Sequence, residues 1–235
     1  MFVEAGAELL VRHPATREAR ADWLHRFAAR AIRRLGIEVD VIGEFPERGA
    51  VISNHLGYLD IVVFAALHPC VFVSKVEVQA VPVLGWMTTM AGTVYVARGH
   101  GGSAVKARGG MQAAADAGLP VVFFPEGTTT NGSGLLKFHS GLLAQAMESG
   151  MPVTAAYISY SLPEGSSATV GDAICYWGDA KMLPHIFRFL GLRGVRAEVR
   201  FASEPIRFSS DVMHRKMAAI ESRAAVAALG CHDGR

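Results

Sequence analysis

Cysteine is scarce in this chain: Cys70, Cys175 and Cys231 form no C-x-x-C pair and sit near no cluster of metal-ligating residues. This excludes a disulfide framework and a zinc-knuckle fold, and reads as free thiols in a reducing compartment. No run of 18 or more uncharged apolar residues occurs, so no membrane-spanning helix is expected. Residues 1–11 show no basic segment followed by an apolar one, so no signal peptide is expected. There is no G-x-S-x-G elbow to supply a hydrolase serine. There is no Gly-Lys-Ser/Thr, and Gly99-His-Gly101-Gly-Ser-Ala104 lacks the last glycine of the dinucleotide fingerprint. A net charge of only +2 excludes the strongly basic balance of a nucleic-acid binder, so no nucleic acid is expected as partner.

What the chain has instead is apolar residues, 51% of the 235, against 19% charged. A chain this long buries roughly 70% of its unfolded surface, enough for a core without staples. The excess suits either a large buried sheet or a surface that meets lipid. Short β-branched and aromatic runs at 50–53, 70–73, 93–96, 121–124, 153–160 and 197–201 read as strands. Between and after them, 60–67, 83–91, 103–117, 139–149 and 211–229 read as helices, the last capped by Ser210 or Asp211. Strands alternating with helices predict a single-domain α/β fold, a mixed, mainly parallel sheet flanked by helices. Residues 1–36 form a separate N-terminal part and 37–235 the main domain.

In that N-terminal part, residues 15–35 read as an amphipathic helix. Trp23, Leu24, Phe27, Ala28, Ala31 and Leu35 recur at spacings of three and four. Between Arg12 and Arg34 lie seven arginines against two acids, Glu18 and Asp22. An apolar stripe flanked by arginine fits a helix lying on an anionic membrane surface. It equally fits a helix packed on the core with its arginines in water.

Three stretches carry chemistry. In Asn54-His-Leu-Gly-Tyr-Leu-Asp60, His55 and Asp60 stand five apart, about 140° around a regular helix. They meet only if His55 lies in a strand-to-helix turn, bent tightly at Gly57, and Asp60 in the first helical turn, where the helix N-terminus favours a carboxylate. An aspartate on one ring nitrogen fixes the tautomer and leaves the other as a base. Alone, the pair fits a structural hydrogen bond as well. Downstream, Phe123-Phe-Pro-Glu-Gly-Thr-Thr-Thr130 ends an apolar strand at the sheet edge where α/β folds bind ligands. Glu126 there enters a cleft, and Gly127 and Thr128 offer amides and a hydroxyl to an anion or oxyanion. Arg98, ending Gly92-Thr-Val-Tyr-Val-Ala-Arg98, and Lys75 supply cations at the same edge.

These stretches, in this order, resemble the glycerophospholipid acyltransferase (PlsC-like) family. Asn54, His55 and Asp60 match its Asn-His-x4-Asp block, Gly92 and Arg98 its arginine strand, and residues 124–128 its Phe-Pro-Glu-Gly-Thr block. Met151-Pro-Val153 matches a proline-led strand, and the stretch from Ser74 through Pro82, Gly85 and Trp86 is similar too; the resemblance covers about residues 35–160. It implies the glycerol-3-phosphate acyltransferase-like fold, His55 as general base and Asp60 as its orienting partner. It further implies that Arg98 and Glu126 hold the acceptor's phosphate-bearing head. The expected reaction moves an acyl group from a coenzyme A or acyl carrier protein thioester to the hydroxyl of a lyso-lipid, without metal or redox cofactor. It would take place on the cytoplasmic face of the cell membrane. Two positions depart from the pattern: Thr129 stands where arginine is frequent, and His139 where lysine is common. With fewer cations, a less anionic acceptor fits, and Cys175-Tyr-Trp-Gly-Asp179 with His185 resembles the lyso-ornithine-lipid branch.

Overall fold

The computed structural model describes residue 8 and residues 14–81, 84–97, 101–209 and 215–231. Seven strands form one sheet in the order β1-β7-β6-β2-β5-β3-β4. They are β1 (Glu38–Ile42), β2 (Ala50–Ile52), β3 (Val71–Lys75), β4 (Val94–Val96), β5 (Val121–Phe123), β6 (Val153–Ser161) and β7 (Arg196–Phe201). Strands β2 to β6 run parallel to one another, β7 runs antiparallel to β6, and β1 runs parallel to β7. The predicted mixed, mainly parallel sheet is what the chain builds. The carboxyl ends of β2, β3, β4, β5 and β6 therefore open on one edge, which the amino ends of β1 and β7 share.

The central strand shows why the apolar runs lack alternation. All three residues of β2 are fully buried, with Ala50 and Ile52 in one core and Val51 in the other. A parallel strand covered on both faces has no solvent side to mark with polar residues. One core lies under α4 (Gly101–Asp116), α5 (Ser140–Glu148) and α8 (Arg215–Gly230). The other lies under α1 (Arg17–Leu35), α2 (Tyr58–Leu67) and α7 (Met182–Leu190). The short helices α3 (Leu84–Met90) and α6 (Val170–Ala173) complete the set of α-helices among the described residues.

Helix α1 begins where Thr16 accepts the Ala19 N–H at 3.2 Å and ends at Gly36, whose φ of 65° is the left-handed conformation glycine adopts freely. Its stripe of Trp23, Phe27, Ala28, Ala31 and Ile32 is buried against α2 and α3. Of the two arrangements the sequence allowed, core packing holds: a stripe already covered by protein has no face left for lipid. The arginines stay outside, with Arg30 donating to Glu8 at 2.9 Å.

One strand and two α-helices among the described residues are absent from the sequence expectation, as is the 3-10 turn Val76–Ala80. Strand β1 is an edge strand, exposed at four of its five positions, so its Glu38 and Asp40 hide it as polar loop. Helix α7 carries Pro184, but in its first turn, where proline removes no helical hydrogen bond. Helix α6 spans only four residues, too short for a periodic signal. The expected cap of the last helix, Ser210 or Asp211, lies outside the described residues.

Phe64 sits fully buried where α2 meets the sheet, with Phe45, Phe124 and Phe201 edge-on around it. Phe64→Ala is expected to cost about 3–5 kcal/mol of unfolding free energy in urea titrations, because this rigid aromatic surround cannot collapse into the cavity.

Candidate active site

The ends of β2, β5 and β6 at the shared edge each deliver one part of the site. Past β2, Asn54 continues the ladder with its side chain: Oδ1 accepts the Ile158 N–H at 2.8 Å and Nδ2 donates to the Ile158 carbonyl at 2.9 Å. This ties the exit of β2 to β6 and frees the next backbone to turn outward. His55 occupies that turn and Asp60 is the third residue of α2, the straddled arrangement expected from spacing.

The Asp60 carboxylate is fully buried and gathers four donors. Its Oδ2 accepts the N–H of Leu56 at 2.6 Å, the N–H of Gly57 at 2.9 Å and the ring Nδ1–H of His55 at 2.7 Å. Its Oδ1 accepts the Tyr160 hydroxyl at 2.7 Å. Because a carboxylate can only accept, His55 carries its proton on Nδ1, and Nε2 bears the lone pair. One face of the ring stacks on Phe124, with centroids 3.9 Å apart and planes 8° from parallel. The imidazole is thus fixed in tautomer and in plane, its side chain is 16% exposed, and Nε2 makes no hydrogen bond among the described residues. Burial, with the Asp60 charge beside it, holds the Tyr160 phenol well above its ordinary range, so it remains a donor. The same two causes push the Cys175 thiol to about 12, so this buried cysteine is no nucleophile at neutral pH.

Gly57 matters for a different reason than a tight bend. Its φ of 170° is ordinary extended backbone. A Cβ there would meet the Tyr176 amide nitrogen at 3.0 Å and the Ile174 carbonyl at 3.4 Å. Glycine lets the segment around Tyr176 close on the turn, where the Tyr176 N–H bonds the Leu56 carbonyl at 2.8 Å.

Glu126, past β5, is only 2% exposed and does not line a cleft. Its Oε1 accepts the His55 N–H at 2.9 Å and its Oε2 accepts the Leu136 N–H at 2.8 Å. The carboxylate therefore braces the His55 turn against the 131–139 loop, in contrast with the headgroup contact that the resemblance implied. The Gly127 N–H is likewise taken, by the Phe124 carbonyl at 3.0 Å, and the Thr130 N–H by the His55 carbonyl at 2.9 Å. Gly127 has the left-handed φ of 65° that turns the chain here, and Thr128 beyond it is exposed. The amides of Thr128 and Thr129 make no hydrogen bond among the described residues. Lys75 ends β3 at the same edge, half-buried. Arg98 follows β4 by two residues and lies outside the described residues.

One contributor escaped the sequence reading, and a second, His185, was read only as part of the likeness to the lyso-ornithine-lipid branch. Tyr160 has no local signal, since it reaches Asp60 only because β6 lies beside β2. His185, on α7, accepts from the Tyr58 hydroxyl at Nδ1, 2.9 Å away, and donates from Nε2 to the Cys175 carbonyl at 2.9 Å. The carbonyl can only accept, which fixes this tautomer too. The link docks α7 on the first turn of α2, beside Asp60.

Residues 37–159 match the acyltransferase family model, just over half of the chain. The chain is 38% identical over 190 residues to a lyso-ornithine lipid O-acyltransferase of Pseudomonas aeruginosa, an alignment covering 78% of this chain and 68% of that protein. It is 34% identical over 150 residues to a 1-acyl-sn-glycerol-3-phosphate acyltransferase of Neisseria gonorrhoeae, covering 61% of this chain and 59% of that one. The crystal structure of the 1-acyl-sn-glycerophosphate acyltransferase PlsC from Thermotoga maritima has the same fold, with a TM-score of 0.66 at 20% identity over 98% of this chain and 90% of that one. The chain belongs to the acyltransferase family.

Burial raises the Glu126 carboxyl above its ordinary value, outweighing the two backbone donors that oppose the shift. A folded-state pKa above the unfolded one means that the native state binds the proton more tightly. Stability from this group is therefore greatest below the unfolded carboxylate pKa and is lost as pH rises through the folded one. In urea titrations across that range, the stability of the native protein relative to Glu126→Gln should fall with rising pH. A pH-independent difference would mean that Glu126 is ionised without cost.

Proposed function

We propose that this protein transfers a fatty acyl group from a coenzyme A or acyl carrier protein thioester to the free hydroxyl of a lyso-lipid at a membrane surface. The observation that carries the reading is the His55–Asp60 pair: a buried, fully hydrogen-bonded carboxylate holding an imidazole whose Nε2 makes no hydrogen bond among the described residues. In this reading Nε2 takes the proton from the acceptor hydroxyl as its oxygen attacks the thioester carbonyl. The amides of Thr128 and Thr129 stabilise the oxyanion. Collapse breaks the carbon–sulfur bond, and the imidazolium returns its proton to the leaving thiolate. Asp60 stays ionised and offsets the imidazolium charge. Arg98 and Lys75 serve as the cations that hold the acceptor's head. No metal or redox group is required by these steps. No helix among the described residues is long and apolar enough to cross a membrane. A peripheral position on the cytoplasmic face suits an enzyme whose acceptor is a lipid and whose donor is soluble.

A second reading narrows the acceptor to a lyso-ornithine-type lipid. Thr129 brings no charge to the 124–130 turn, and His139 is an exposed residue at the start of α5. The segment around Cys175 and Tyr176 packs directly on the His55 turn, where it can shape the rim. The relative named a lyso-ornithine lipid O-acyltransferase extends the likeness through this part of the chain.

His55→Ala should abolish transfer while leaving the fold intact. Asp60→Asn, which keeps the shape but loses the charge, should lower kcat by about 10²–10⁴-fold. Both are read with labelled donor and with circular dichroism as the folding control. Undiminished turnover in His55→Ala would remove the base assignment. A panel comparing lysophosphatidate with lyso-ornithine lipid decides the acceptor: preference for lysophosphatidate would reject the narrower reading.

A further inference from the structure

Helix α7 presents an apolar face that none of the described residues covers. Leu183, Phe187 and Leu190, spaced i, i+4, i+7, are 67%, 73% and 48% exposed. The opposite face is anchored, with His185 bonded to Tyr58 and Cys175 and Phe189 packed into the core. The outward face is therefore held rigidly in place. Trp177, 44% exposed, stands beyond its amino end, fixed by an indole N–H donated to the Gly171 carbonyl at 3.0 Å.

Cations rim this face. A depression of about 460 Å³ where the end of α1 meets α7 is lined by Arg33, Arg34, Leu190 and Arg193, among others. A second, of about 540 Å³ at the other end of the helix, is lined by Lys181 and Arg188, with the acids Asp172 and Asp179. Asp172 is engaged by the Thr169 hydroxyl at 2.8 Å. The rim thus carries five cations against two acids.

We infer that the outward face of α7, with its arginine rim, is the surface by which this protein docks on an anionic lipid bilayer. A short helix with large apolar residues outward and cations around it lies in the plane of the interface, its apolar side among acyl chains and its cations at phosphates. Sheet register places this surface beside the chemistry. Glu38 pairs with Arg196 and Arg196 with Ser161, so the end of α1, the start of β7 and the carboxyl end of β6 share the edge on which His55 opens. A second copy of the chain is a poorer occupant. A two-fold contact through one patch sets its cations against their own images. The inference rests on the proposed acylation of a membrane-borne lyso-lipid, and it locates the contact in residues outside the 37–159 family match.

The test uses the full chain and vesicles of phosphatidylethanolamine with phosphatidylglycerol, against vesicles of phosphatidylcholine alone. Leu183→Asp/Phe187→Asp changes two solvent-facing side chains and should fold as the native protein does. Its partition onto the anionic vesicles should fall by at least about tenfold. Arg33→Glu/Arg34→Glu/Arg193→Glu should lose roughly fivefold per charge on anionic vesicles, with little change on phosphatidylcholine. Native-level partition of the Leu183/Phe187 variant would overturn the inference. So would a variant that turns a native dimer into a monomer without changing its partition. Turnover of a short-chain acceptor dissolved as monomer separates the two readings. Normal turnover with unaltered partition rejects the docking surface alone. Loss of partition in a protein that acylates no acceptor rejects the activity and leaves the surface standing.

Discussion

The Asp60 carboxylate is the interaction on which the site depends. It is fully buried, so its oxygens must find donors within the fold. Four donors meet that need, and each comes from a part of the fold that must already be in place. The Leu56 and Gly57 amides require the helix to begin at Tyr58. The Tyr160 hydroxyl requires β6 to lie beside β2. The last donor is the His55 ring itself, so the geometry that satisfies the buried carboxylate also sets the tautomer of the imidazole. In the proposed reaction, structural need and chemical use coincide in one hydrogen bond.

Glu126 extends that logic outward. Helix α8 sends Arg223 to the carbonyls of Leu135 and Leu136, at 2.8 and 3.0 Å. The Leu136 amide bonds one Glu126 oxygen, and the other oxygen holds the His55 amide. A continuous polar path thus runs from the last helix to the turn that carries the imidazole, crossing the edge of the sheet at β5. With Phe124 against the ring, the turn is clamped by hydrogen bonds at its backbone and by stacking at its side chain. Preorganisation of this kind lets a base act without spending binding energy on its own placement.

Much of this was legible from residue types, because apolar period and turn residues report which backbone is buried and where it bends. The strands β2 to β7, the straddled His55–Asp60 pair and the shared edge follow from local pattern and the parallel-sheet rule. The pairing of Tyr160 with Asp60 does not, since it is made by register between strands a hundred residues apart in the chain. The role of Gly57 is hidden for the same reason: its neighbour Tyr176 arrives from a distant segment. The stripe of α1 shows the limit of periodicity. Trp23 and Phe27 mark a face to be buried, but only the presence of α2 and α3 decides that protein, not lipid, covers it. Helix α7, whose outward face has no such cover among the described residues, was masked by its proline.

In the proposed reading, chemistry and acceptor selection are built from different stretches of the chain. The His55 turn, the 124–130 turn and their braces fall within residues 37–159, apart from Tyr160 just past the end and Arg223 on the last helix. The rim is supplied by residues C-terminal to that span, with Tyr176 on the turn at Gly57 and His185 on the first turn of α2. The rim touches backbone and Tyr58, not the imidazole or the carboxylate. Substitutions among its exposed residues can therefore alter what approaches Nε2 while the donors to Asp60 stay fixed. A turn held from below by Asp60 and Glu126 and overlaid by a separate segment can keep one reaction while its acceptor changes.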